Sequence, residues 1–204
     1  MARALFAREF CTYTNCYCEE NIWKLCESLG NRSDQPASIE EFFVVFISND
    51  AKKIPLWRQR SRRGDDEFVL WDYHVILLHV AQDQCRVYDQ DTTLPFPCSF
   101  KMYVRDALRT DEVLRHCYRR MFRVVRADAY LAHFASDRSH MKTPDGDWIQ
   151  IPPSYPSIHT AESTMNIYDF ISMDPARGWG DVLDYGQFVR KFELTKKLEY
   201  MVYT

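Results

Sequence analysis

The stretch Phe68–Val80, FVLWDYHVILLHV, constrains this chain more than any other. Val69, Trp71, Tyr73, Val75 and Leu77 alternate with Leu70, Asp72, His74, Ile76 and Leu78, so an extended segment here is largely apolar on both faces. A strand of that kind must be covered from both sides, which makes it a central strand of a sheet. Phe42–Ile47 (FFVVFI) is a second apolar run and reads as another buried strand. Ala81–Gln84 reads as a turn and Cys85–Asp89 as the strand returning from it. Ahead of these, a helix is expected from Cys18, with Ile22, Leu25, Cys26 and Leu29 on one stripe and Trp23 beside it. Asn15 is its candidate N-cap, Glu19 and Glu20 suit its first turn, and Gly30 its end. Further helices are expected near Tyr103–Leu108, Glu112–Tyr118, Ala127–Phe134, Asn166–Met173 and Tyr185–Phe192, with a short strand near Met121–Val125. The segments 31–38, 48–66 and 139–157 read as loops, the last with four of the nine prolines.

A length of 204 residues and 46% apolar content point to one domain with an ordinary core. The net charge of −3 gives no reason to expect nucleic acid or an anionic membrane as partner. The basic run Arg58, Arg60, Arg62 and Arg63 is followed at once by Asp65, Asp66 and Glu67, the mark of a solvated loop. No apolar run approaches the ~20 residues of a membrane span, and the N-terminal MARALFAREF has no secretory apolar core. A cytosolic or nuclear protein is therefore expected, with its seven cysteines as free thiols. A monomer is expected.

Cys18 stands where a thiol has chemical consequences. Unpaired backbone N–H groups and the positive end of the dipole at a helix start favour a thiolate and can hold an oxyanion. Cys16 lies before the helix and has the weaker claim. His74 is the candidate base. With the hairpin turn at Gln82-Asp83, position 74 faces Asp91, and Asp89 is its diagonal neighbour on the same face. Strand geometry alone leaves Asp89, Asp91 and Asp72 open as the carboxylate that orients the imidazole. The order Cys, His, Asp is that of thiol acyl transfer, found in papain-like and transglutaminase-like enzymes.

The run Cys16-Tyr17-Cys18-Glu19-Glu20-Asn21-Ile22-Trp23-Lys24-Leu25-Cys26 resembles the N-terminal signature of the protein N-terminal glutamine amidohydrolases, and Trp71-Asp72-Tyr73-His74-Val75 matches the WDYHV pentapeptide of that family. Similar stretches follow in order: Val44 with Phe46–Asn49, Leu94–Cys98, Phe134–Lys142 and Phe170–Pro175. The resemblance runs from about Cys11 to Phe192 and leaves 193–204 unmatched. It implies an α/β (α+β) fold, a single catalytic domain 1–204 built as an α-β-α sandwich around a largely antiparallel sheet, akin to transglutaminase- and papain-like cysteine hydrolases. It implies hydrolysis of the side-chain amide of an N-terminal Gln to Glu with release of ammonia, the product then being open to arginylation as a degradation signal. The family's nucleophile falls on Cys18, its base on His74 and its third member on Asp89. No cofactor is implied. For the substrate's α-amine, Asp72 and Asp174 are the candidates, with backbone carbonyls as the alternative.

Three rival readings carry different signatures. Cys11, Cys16, Cys18 and Cys26 would offer zinc a C-x4-C-x-C-x7-C set, a poor spacing for a structural site, so no metal is expected. A module that binds N-terminal residues without turnover would release no ammonia. A related protease or transglutaminase would yield a cleaved or cross-linked product rather than free Glu.

Overall fold

The computed structural model describes residues 5–30, 37–64 and 67–193. Residues 31–36 of the loop expected at 31–38, Asp65 and Asp66 of the charged run, and the tail 194–204 lie outside the described residues. Strand β1 spans Phe42–Ser48, β2 Ile54–Trp57, β3 Phe68–Trp71, β4 His74–Ala81, β5 Gln84–Tyr88, β6 Cys98–Ser99, β7 Met121–Arg126 and β8 Asp181–Asp184. Helix α1 spans Cys18–Gly30, α2 Phe100–Tyr103, α3 Ala127–His133, α4 Ile167–Ile171 and α5 Tyr185–Phe192. Six strands form one sheet in the order β6-β5-β4-β1-β7-β8, with every neighbouring pair antiparallel.

Period-2 alternation divides the core. Val44 and Phe46 of β1 and Val75 and Leu77 of β4 face the layer of α1, α3 and α4, where they meet Ile22, Leu25, Cys26, Tyr130 and Phe170. Val45, Ile47, Ile76 and Leu78 face the other way, onto Phe100, Tyr103, Phe188 and Phe192 of α2 and α5. The stripe expected on α1 is buried as read. Each such apolar side chain contributes roughly 1.5–3 kcal/mol on burial, and together they pin the start of α1 beside β4.

The chain departs from its sequence pattern in four places. Phe68–Val80 is two strands. Asp72 Oδ1 accepts from the Tyr73 N–H at 2.9 Å, and Ser48 Oγ donates to the Asp72 carbonyl at 2.8 Å. These local bonds replace the ladder at the WD–Y step. β3 then leaves the main sheet and pairs with β2 in a separate antiparallel ribbon, with Phe68 and Leu70 45% and 46% exposed. The buried strand β2 falls inside the expected 48–66 loop, because Pro55 argues against a strand except at an edge. The helix expected at Glu112–Tyr118 is only a 3-10 turn at His116–Tyr118, the segment being wrapped around the buried Asp111–Arg120 pair. The N-cap position of α1 is Tyr17, whose carbonyl accepts from Asn21 N at 2.9 Å, and Asn15 lies before it. Asn21 instead clasps Thr14, accepting from its N–H and donating to its carbonyl, each at 2.8 Å.

Candidate active site

The hairpin register is the one expected: Ala81 pairs Gln84 and Leu77 pairs Tyr88. The ladder stops there, so His74 opens β4 paired only with Ile47 of β1, and Asp89 lies just past the end of β5. The diagonal neighbour is the one that reaches. His74 Nε2 and Asp89 Oδ1 are 2.9 Å apart, both residues fully buried. Asp89 is itself held on every side. Its Oδ1 also accepts from Asp91 N at 2.9 Å, and its Oδ2 accepts from Tyr103 OH at 2.9 Å and Gln59 Nε2 at 3.3 Å. Trp71 stacks on the imidazole with ring centres 5.3 Å apart. The other ring nitrogen, His74 Nδ1, is buried and has no hydrogen-bond partner.

Burial alone would lower the His74 pKa, but the charge and hydrogen bond of Asp89, with Asp91 and Glu19 behind them, outweigh it and leave it above the ordinary value. Asp89 shows the converse: burial pushes it up, yet His74, the Asp91 N–H and Tyr103 bring it below the usual carboxylate range. Asp91, which accepts from Tyr13 OH at 2.6 Å, is raised by burial and by Asp89.

Cys18 is the first residue of α1, and the backbone of Val75, the residue after His74, favours its thiolate. Here the structure departs from the helix-start argument. The thiol pKa is raised well above its ordinary value, by burial first and then by Glu19. The dipole of the helix is outweighed by burial and by a carboxylate 3.6 Å from the sulfur, which accepts from the Sγ–H. Cys16 sits in the turn before the helix at φ 65° and is only half-buried.

Glu19 and Glu20, expected in the first turn of the helix, are both fully buried. Glu20 receives the Arg138 guanidinium through two bonds of 2.8 Å. Glu19 Oε2 accepts from Tyr73 OH at 3.0 Å. The expected Phe134–Lys142 match is the segment that delivers Arg138 to Glu20, and His140 to within 3.7 Å of Glu19. Sequence reasoning missed Glu19, Tyr73, Gln59, Tyr103 and His140. The available signals were two consecutive acids at the head of an apolar stripe, and the matched stretches that contain Tyr73 and His140.

Of the α-amine candidates, Asp72 bends the chain into Tyr73 and is one of the carboxylates acting on Cys18. Asp174 is exposed beyond α4. Its carboxylate accepts from Ala176 N and its carbonyl from Arg123 Nη2, and neither bond involves Cys18, His74 or Asp89. Among the described residues, one group could hold a metal ion, His74, Asp89 and Asp91, with ligand atoms within 4.8 Å of one another. Its atoms already bond to one another, to Tyr13, to Tyr103 and to Gln59.

The buried His74–Asp89 pair leaves one ring nitrogen open, and Cys18 stands at the start of α1. The family of N-terminal glutamine amidases matches residues 13–192. The protein N-terminal glutamine amidohydrolase of Bos taurus is 56% identical over 91% of this chain and 88% of its own length. Its counterparts in Homo sapiens and Drosophila melanogaster are 54% and 47% identical, over 91% and 89% of this chain and 89% and 88% of their own lengths. By the span of the family match and by these identities, the chain belongs to the N-terminal glutamine amidase family of amide-hydrolysing enzymes.

Proposed function

We propose that this protein hydrolyses the side-chain amide of an N-terminal glutamine to glutamate, releasing ammonia, with Cys18 as nucleophile, His74 as acid–base and Asp89 as the carboxylate that holds it. The observation that carries the reading is the buried, unbonded His74 Nδ1 on a ring locked through Nε2 by Asp89 at 2.9 Å. With Nε2–H donating to Asp89, Nδ1 is left as the basic nitrogen.

Burial and Glu19 hold the Cys18 thiol up in the free protein, so the attack needs a base for its proton. His74 Nδ1 takes that proton, and Sγ bonds to the Gln side-chain carbonyl carbon. The first N–H groups of α1 have no acceptor within the helix and stabilise the oxyanion. The imidazolium, stabilised by Asp89, gives its proton to the departing nitrogen and ammonia leaves a thioester. Water, deprotonated by His74, then cleaves the thioester to Glu and restores the thiol. A nucleophile on a helix start with His and Asp from neighbouring antiparallel strands supports kinship with transglutaminase- and papain-like cysteine hydrolases. The product, an N-terminal Glu, is a substrate class for arginylation and so for degradation signalling, and an odd count of seven cysteines fits a reducing compartment such as cytosol or nucleus.

The test uses four peptides identical after the first residue: Gln, acetyl-Gln, Asn and Gly-Gln. Only the first should release ammonia rapidly. Asn brings its carbonyl more than about 1 Å short of the sulfur, a misplacement that can reduce the rate on the order of 10²-fold. Equal release from acetyl-Gln would make this a general glutaminyl deamidase, and silence on all four would leave a binding module.

A further inference from the structure

Glu19 is a buried carboxylate with no lysine or arginine bonded to it, and its one ion-pair partner among the described residues is His140. Its Oε2 is held by Tyr73 OH at 3.0 Å and the Cys18 thiol at 3.6 Å, both neutral donors. Its Oε1 is buried and has no hydrogen-bond partner. His140 Nε2 stands 3.7 Å from it, beyond hydrogen-bond reach, and neither nitrogen of that ring is bonded. Tyr130 OH comes no nearer than the backbone, bonding the Glu19 carbonyl at 3.1 Å. Asp91 and Asp72 add further negative charge around Cys18. A buried acceptor left unmet is costly, and more so when it is charged. A negative surround also opposes the thiolate that the chemistry needs. Both costs disappear if a cation arrives with the substrate.

We infer that Glu19 is the acceptor for the α-ammonium of the substrate's first residue, an inference that rests on Cys18 being the nucleophile. The α-nitrogen of Gln lies four bonds from its side-chain carbonyl carbon, roughly 5 Å when extended. With that carbon at an attack distance of about 3–3.5 Å from Sγ, the ammonium can fold back onto a carboxylate 3.6 Å from the sulfur. Asn, one bond shorter, cannot satisfy both contacts as well. An internal or acetylated Gln brings no charge and leaves Oε1 unmet. The bound ammonium also neutralises the carboxylate that holds the thiol up, so the correct chain end helps to ionise its own nucleophile.

The experiment compares the full-length wild type with Glu19→Gln on the Gln and acetyl-Gln peptides, and measures alkylation of Cys18 by iodoacetamide at neutral pH. The variant should lose on the order of 10²-fold in kcat/KM for the Gln peptide, mostly through KM, while acetyl-Gln changes little, so that the preference for the free amine collapses. Alkylation should become faster, because the carboxylate opposing the thiolate is gone. A merely structural Glu19 would not move turnover and alkylation in opposite directions. Retained preference in a folded Glu19→Gln protein would overturn the inference. Should that variant fail to fold, Glu19→Asp, with the same charge drawn back by one methylene, decides: a raised KM with acetyl-Gln still rejected supports it, and an unchanged KM overturns it. A wild type that releases no ammonia from the Gln peptide would instead defeat the proposed function itself.

Discussion

The protein buries two carboxylate clusters, and they are finished differently. Around Arg120, each nitrogen of the guanidinium is used: Nε and Nη2 bond Asp111 Oδ1, Nη1 bonds the carbonyls of Pro55 and Leu108, and Nη2 also bonds that of Arg109. Asp111 Oδ2 takes the Arg120 backbone N–H at 2.7 Å. Around Cys18 and His74 the network is as deeply buried, but Nδ1 of His74, Oε1 of Glu19 and both nitrogens of His140 are left open. The first cluster joins the 109–120 segment to β2 and has nothing left to offer. The second carries unmet polar atoms that reactants can complete. A closed buried pair is an argument about stability, and an open one about chemistry.

The largest effect should come from the open cluster. Cys18→Ala and His74→Ala should each lose about 10³-fold or more in ammonia release per folded molecule, since members of such a unit act together. Cys16→Ala should keep most of the activity. An active Cys18→Ala with a dead Cys16→Ala would reverse the roles. The closed cluster should answer in the other currency. Arg120→Ala leaves Asp111 buried without its cation and should cost about 3–5 kcal/mol of stability, read by denaturant unfolding, with kcat per folded molecule unchanged. A loss of kcat without loss of stability would erase the distinction between the clusters.

Asp89→Asn comes next, folded but slow in kcat. Asn can orient the ring but cannot stabilise its cation. Asp89 is also the main influence lifting His74, so the acid limb of the pH–rate profile should move to lower pH as the plateau falls. A full-rate Asp89→Asn would return the role to Asp91.

The site was more legible in the sequence than its support was. The Cys18 position, the hairpin register and the shared face of His74 and Asp89 follow from periodicity and one turn, and these are local rules. The break at Asp72-Tyr73 was hidden because an aspartate that bonds the next N–H looks the same in sequence as one on a polar strand face. β2 was hidden by Pro55, and β6 and β8, of two and four residues, were too short for a period. Glu19 and Glu20 misled most. Acids in a first helical turn suit the dipole whether they face water or protein, and only the long-range arrival of Arg138 and Tyr73 decides that they are buried.

The smallest effect should separate Asp91 from Asp89. Asp91 does not bond the imidazole. It accepts from Tyr13 OH, and its charge adds to that of Asp89 in raising the His74 pKa. A base works from its neutral form, so kcat/KM climbs as pH rises through the His74 pKa, or through that of the Cys18–His74 pair where the two titrate together. Asp91→Asn removes one influence that favours the imidazolium. The acid limb should therefore shift to lower pH by less than in Asp89→Asn, and the plateau should stay within a few-fold of wild type, because the ring is still held through Nε2. Rates at slightly acid pH should rise relative to the plateau. The measurement is kcat/KM for the Gln peptide across the acid limb in wild type and both variants. A limb that moves upward in Asp91→Asn, or a plateau that falls as far as in Asp89→Asn, would show that the second carboxylate positions the base rather than only adding to its field.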